Sequence, residues 1–221
     1  MSIHSMYAII PPMPTLAKAA ESRTRSRLAR RQQLIEATMK CIARKGIGST
    51  TLGDVAKEAG LSQGIVNLHF DSKDNLLKET LTQLASDYKT QFDTALKRAG
   101  TRPADQLHAV LALDFKPSIC NREKLVLWFA FWSEVRARPT YRKICEAWDN
   151  YYDEVVRQLC AAIIAEGQYT VSATAAASAL AAMTDGLWQA CLVNPQSWSR
   201  QAAMDAVMSY LQHVFPKHFP V

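Results

Sequence analysis

Two groups of residues have types and spacings that could do chemistry. The first lies within residues 51–70, TLGDVAKEAGLSQGIVNLHF. Two short helices that cross closely need a small residue midway along the first, and Ala56 supplies it. Four residues on, the chain must turn sharply at a positive φ, which glycine accepts without steric cost, and Gly60 stands there. Val55, Leu61 and Val66 then fill the wedge between the helices. The second helix is left presenting Ser62, Gln63, Gly64, Asn67 and Leu68 outward. Such a helix fits a DNA major groove with its N-terminal end against bases and phosphates. Short helix pairs of this composition also occur in ordinary bundles, so the surroundings have to decide.

The second group is aromatic and acidic. Trp128 and Trp132 lie one turn apart with Phe131 alongside, Trp148, Tyr151 and Tyr152 follow beside Asp149, and Asp185 and Trp188 are again one turn apart. Rings at helical spacing are ordinarily core. Gathered around a cavity, they would instead hold an organic cation. A quaternary ammonium has no N–H to donate, so it is bound through aromatic faces, each adding ~0.5–2 kcal/mol, with a carboxylate for its charge. Trp128, Trp132, Trp148, Tyr152, Asp185 and Trp188 are the candidates for lining such a pocket.

Charge distinguishes the two ends of the chain. Its 221 residues carry a formal net charge of +6; residues 1–80 hold 12 Lys/Arg against 7 Asp/Glu, and residues 81–221 hold 14 against 13. Arg23, Arg25, Arg27, Arg30 and Arg31 fall just upstream of the helix pair. Such a cluster is either a solvated arm or an attractor of polyanions, nucleic acid or an anionic membrane face. Its position before the helix pair favours DNA, because a membrane-surface role would explain the arginines and not the pair.

Other classes are poorly supported. There is no P-loop, GxGxxG, HExxH or GxSxG, so no enzyme is read. The five cysteines are widely spaced without a CxxC, which disfavours a disulfide framework or zinc site. A reducing cytoplasm with no metal and no cofactor is expected. No apolar run approaches the ~20 residues of a membrane span, and no membrane partner is expected.

The frame that must position these residues is helical. Leu34, Ile35, Thr38, Met39 and Ile42 recur at helical spacing over Arg27 to Lys45, where Gly46 and Gly48 end the pattern. Thr50-Thr51 caps a second helix, Leu52 to Ala59, and Ser62 caps a third, ending near His69. Ser72 caps a long fourth helix with Leu76, Leu77, Thr80, Leu81, Leu84, Tyr88 and Phe92 on one stripe. After a linker at Gly100 to Pro103, five more helices are read at 104–115, 121–137, 140–166, 171–193 and 198–214. With no period-2 pattern, the fold is all-α, of about nine helices. Residues 1–22, broken by Pro11, Pro12 and Pro14, read as a flexible tail. Ala175, Ala176, Ala179, Ala182 and Met183 make a small-residue face near the end of the chain. Leu180, Leu187 and Leu192, then Ala203, Val207, Leu211 and Val214, add apolar stripes that a second copy would cover.

The run TTLGDVAKEAGLSQGIVNLHFDSKDNLL resembles the TetR family of bacterial transcriptional repressors in its paired threonines, Gly-Leu-Ser turn, Gly64, His-Phe pair and Lys73 opening the fourth helix. The segments LVLWFAFWSEVRARPTYRKI and SALAAMTDGLWQACLVNP are similar to the BetI subgroup, the choline-responsive repressors of glycine betaine synthesis. With the Gly-Ile-Val of the second short helix, they extend the likeness over about residues 27–215.

The resemblance implies a homodimer on a palindromic double-stranded DNA operator, released by a small-molecule effector, choline or a related cation. The alternative is an effector of another kind, a lipophilic drug or fatty acyl compound. It further implies a helix-turn-helix domain over 23–71, a connecting helix over 72–100, and an effector-binding and dimerisation domain over 101–221. By position, Thr51 and Ser62 would contact phosphate, Gln63 and Asn67 base edges, and Lys73 a backbone phosphate. Arg27, Gly64, Ile65 and Leu68 complete the DNA-facing set, and His69 either joins it or packs between the third and fourth helices. Many members of the family carry Tyr where this chain has Asn67.

Overall fold

The computed structural model describes residues 16–220. Helix α1 spans Leu16–Ser49 and α2 Leu52–Ala59, followed by α3, Gln63–His69, and the long α4, Lys73–Arg98. The remaining helices are α5 (Pro103–Asp114), α6 (Arg122–Glu134), α7 (Pro139–Gly167), α8 (Ala173–Val193) and α9 (Arg200–Val214). No strand occurs among the described residues.

The expected tail is corrected at its inner end, since the chain is helical from Leu16 onward. Leu16 to Glu21 are helix formers uninterrupted by glycine or proline, so α1 extends upstream of its amphipathic part. The rest of that tail, residues 1–15, lies outside the described residues. Gly46, at φ 79°, breaks α1 where the glycines predict an end, and one further turn follows it. Helix α6 is shorter than its periodicity because residues 135–138 wind into a turn, with Ala137 and Arg138 N–H donating to the Glu134 carbonyl ahead of Pro139.

The helix starts follow local chemistry. Thr51 and Asp54 form a reciprocal capping box at α2: Asp54 N–H donates to Thr51 Oγ1 at 3.2 Å and Thr51 N–H to Asp54 Oδ2 at 2.8 Å. Ser72, Asn121, Ser172 and Ser199 cap α4, α6, α8 and α9 through their side chains. Ser62 has the extended backbone of a cap at α3, but its side chain makes no capping bond. Gly60 takes the left-handed conformation, φ 65°, and lets Leu61 N–H reach the Ala56 carbonyl at 2.9 Å.

Two apolar clusters result. The smaller joins Leu34, Ile35, Val55, Ala56, Val66, Phe70 and Leu76, and the larger runs from Ile42 and Leu77 through the rest of the chain to Phe219. Helices α1 and α4 contribute to both. On α8 and α9 the set expected to face outward divides: Ala175 and Ala182 do so, Ala179, Met183, Leu187, Leu192 and Val214 are half-buried, and the rest turn inward. Ala176, Leu180, Ala203, Val207 and Leu211 are buried within the chain, and Ala175, Ala182, Gly186, Ala190, Ala202 and Ala206 are exposed. Both helices carry small residues on more than one side, and the side that also bears Leu and Val is taken by the chain's own core.

Replacing Gly60 by Ala forces an L side chain into the left-handed region, so urea unfolding should report a loss of about 1–2 kcal/mol. An unchanged midpoint would show that the turn relaxes to another conformation.

Candidate functional site

The outer surface of α3 is the first candidate surface. Ser62, Gln63, Gly64, Asn67 and Leu68 are all exposed, with Leu68 72% accessible, whereas Ile65 is half-buried and Val66 is fully inside. The arrangement follows from one helical period: Val66 faces the small core and its neighbours two positions away face out. His69 is half-buried. Burial first, then the charges of Arg27, Arg31 and Arg30, lower its pKa and keep the ring neutral at physiological pH.

Residues of the arginine cluster, and two of those named for phosphate contact, Thr51 and Lys73, already have partners. Arg31 is a clamp: its guanidinium donates to the His69 carbonyl at 3.0 Å, pairs with Glu79 at 3.1 Å and lies 4.4 Å from the Phe70 ring centre. Arg30 bonds Gln33, and Gln33 in turn donates to the Ala59 carbonyl at 2.7 Å. Thr51 directs its hydroxyl to Asp54, which also pairs with Lys45 at 2.6 Å. Lys45 and Thr51 hold the Asp54 carboxyl well below the usual range. Lys73 Nζ donates to the Gly48 carbonyl at 3.3 Å, which leaves two of its three N–H bonds. Arg27 is exposed beside His69 and α3.

The second candidate is a cavity of about 430 Å³ between α4, α6, α7 and α8. All six side chains named from sequence, Trp128, Trp132, Trp148, Tyr152, Asp185 and Trp188, line it. Tyr88 from α4 is the hub of its wall, with ring centres 4.5 Å from Trp148, 5.9 Å from Trp188 and 6.2 Å from Trp128. Trp128 and Trp188 are 2% and 3% accessible, whereas Trp132 is half-buried near the opening. Phe131 and Tyr151 point elsewhere: Phe131 packs on Tyr141 and Tyr151 donates to Asp93 at 2.6 Å.

Beneath the rings lies Asp114, wholly inaccessible at the end of α5. Its carboxylate accepts from the hydroxyls of Tyr88 and, at 2.8 Å, Tyr152, and its main-chain carbonyl accepts from Trp188 Nε1 at 2.9 Å. Burial raises its pKa to about 7 against the opposing effect of the two tyrosines. At the mouth stand Asp149, Asp153 and Asp185. Desolvation on their packed side, then mutual repulsion, lifts Asp149 and Asp185 to about 6, and desolvation also raises Asp153.

Sequence reasoning did not select Tyr88, Asp114 or Asp153. Asp114 carries a signal in retrospect, as a lone acid ending the apolar run Ala109–Leu113. Tyr88 falls on an ordinary core stripe, and nothing in its spacing marks it as cavity wall.

A family profile described as bacterial regulatory proteins, tetR family, matches residues 34–80, and one described as BetI-type transcriptional repressor, C-terminal, matches residues 103–216. The HTH-type transcriptional regulator BetI of Paraburkholderia xenovorans is 32% identical over 185 residues, covering 84% of this chain and 93% of that protein. Its counterpart in Paraburkholderia phymatum is 33% identical, covering 84% and 92%. This chain belongs to the TetR family, in its BetI-type branch.

Solved structures agree on the fold. A transcriptional regulator from Pseudomonas aeruginosa PAO1 superposes with a TM-score of 0.75 at 24% identity, covering 86% of this chain and 93% of the other. A regulator from Saccharomonospora viridis in complex with choline gives 0.73 at 22%, covering 83% and 95%. FadR from Bacillus subtilis in complex with stearoyl-CoA gives 0.69 at 16%, covering 83% and 97%. The chain is thus a BetI-type transcriptional regulator, and no helix among its described residues is long and apolar enough to cross a membrane.

The raised carboxyls make this BetI-type domain pH-sensitive in a defined direction. Asp114, Asp149 and Asp185 bind protons more tightly folded than unfolded, so their contribution to stability is greatest in acid and is lost as pH rises from about 4 through 7. Asp114→Asn removes the largest of these terms. Relative to wild type, its Tm should rise by a few degrees between pH 5 and 8, and parallel pH profiles for the two proteins would contradict the assignment.

Proposed function

We propose that the chain represses transcription as a homodimer on a palindromic operator and releases it when an organic cation of the choline class enters the aromatic cavity. The observation that carries this reading is the composition of the cavity: four tryptophans and two tyrosines in the wall, with three aspartates at the mouth. A trimethylammonium group is held by rings and carboxylates and needs no hydrogen-bond acceptor. A fatty acyl carboxylate or a coenzyme phosphate would meet those aspartates with like charge. The fold is shared by neighbours bound to choline and to stearoyl-CoA, so the lining of this cavity is what favours the cation.

On the DNA side, residues 23–71 act as the reading domain, 72–100 as the connector, and 101–221 as the effector and dimer domain. Gln63 and Asn67 read base edges from the exposed face of α3, and Leu68 offers an apolar contact to a thymine methyl. Ser62, Thr51 and Lys73 position the helix on phosphates, with Ser62 keeping a hydroxyl that capping does not consume. Gly64 and Ile65 allow close approach, and Arg27 and His69 flank the far end. The exposed small residues of α8 and α9 pair with a second copy. The operator places the protein in the cytoplasm, and no catalytic role is assigned.

Effector and operator are linked through α4, which provides the Tyr88 wall of the cavity and the Leu76 contact of the small core. A ligand that prefers one helix arrangement weakens the other by the same coupling energy, typically ~1–3 kcal/mol.

A gel-shift on the DNA upstream of its own gene, titrated with choline, tests the whole reading. Specific binding relieved by choline is expected; specific binding indifferent to choline and to tetramethylammonium would sink the cation assignment. In the same assay Lys73→Ala should weaken all sequences evenly and reduce the salt slope by about one. Gln63→Ala should relax sequence choice, and equal effects of both variants on every sequence would contradict the division into positioning and reading.

A further inference from the structure

Building on the cation-effector reading, we infer that the cavity takes an elongated organic cation with two positive centres, one among the rings and the second held by the aspartates at the mouth. Asp149 and Asp153 lie one turn apart on α7, and Asp185 faces them from α8. Arg142 is the one basic residue among the described lining, and it is ion-paired with Glu146 at 3.4 Å. The three aspartates have no ion pair or hydrogen bond among the described residues. That leaves more negative charge at the mouth than a single ammonium neutralises.

Three further observations bear on what the cavity takes. No three His, Cys, Asp or Glu side chains among the described residues converge closely enough to hold a metal ion. The mouth is thus not arranged as a metal site, and the ammonium end of a longer organic cation is a counter-charge that suits these exposed carboxylates. The cavity volume of about 430 Å³ falls in the range of roughly 300–1,000 Å³ typical of drug-sized ligands, whereas choline has only seven non-hydrogen atoms. In the wall, Thr184 is 4% accessible, and its hydroxyl, beside Asp114 and Tyr152, has no hydrogen bond of ordinary geometry. A buried hydroxyl of this kind is a ready partner for a bound polar group.

The test uses two matched ligands on the full chain at pH 7.5, followed by tryptophan fluorescence: pentyltrimethylammonium and (5-aminopentyl)trimethylammonium. They share the quaternary head and chain and differ in the terminal ammonium. The amine-ended ligand should bind at least about fivefold more tightly, with the advantage shrinking as salt is raised. Asp153→Asn, and independently Asp149→Asn, should bring the ratio towards one. Equal affinity of the two ligands for wild type overturns the second centre and leaves the cation reading standing. Failure of both ligands, and of choline, to bind overturns the two together. A ratio unchanged in both variants, or loss of the dimer by light scattering in both, assigns the aspartates elsewhere and also overturns the inference.

Discussion

The carboxylate of Asp114 is the constraint on which the larger helical core depends. A charged group with no access to water is costly unless its oxygens are bonded. Here hydroxyls from α4 and α7 meet the two oxygens, while an indole N–H from α8 meets the carbonyl of the same residue. Four helices are thereby fixed at one point. The rings that carry those donors, Tyr88, Tyr152 and Trp188, are the same rings that wall the cavity. The hydrogen bonds therefore determine where the aromatic faces point, and the cavity is a consequence of how one buried acid is satisfied.

The same helices explain how the two parts of the molecule share their mechanics. Helix α4 carries Leu76 into the small core and Leu77, Leu81, Leu84 and Tyr88 into the large one. A second tie runs from Arg138, before α7, to Asp74 in the first turn of α4, with the Tyr141 hydroxyl 3.3 Å from the same carboxylate. Both contacts converge on the end of α4 beside α3. Movement of α7 or α8 around a ligand would reach that end through packed side chains rather than through a mobile linker, consistent with the interior density of folded proteins.

The arginine cluster shows how one composition divides between two environments. Arg31 joins α1 to the end of α3 and to α4, through the His69 carbonyl, the Phe70 ring and Glu79. Arg27, one turn earlier, is exposed beside the same histidine. Charge count could not separate them, because the difference lies in which side of α1 each residue occupies once α3 and α4 are in place.

Local rules determined much of this protein without its tertiary structure. The small residue at Ala56, the left-handed turn at Gly60 and the inward Val66 follow from steric demands within a few residues, and they were legible for that reason. The pairs Trp128 with Trp132, Trp148 with Tyr152 and Asp185 with Trp188 were legible too, because each is set by helical spacing on its own segment. That the three pairs meet at one cavity was not. Tertiary structure decided what depends on contacts between segments. It selected which stripe of α8 and α9 faces the core, since several stripes were apolar enough and packing of α8 against α6 and α7, and of α9 against α5 and α8, chooses among them. It also decided that Asp114 and Tyr88, 26 positions apart, meet. No periodicity records that encounter, because burying an acid is tolerable only after distant donors have been brought to it.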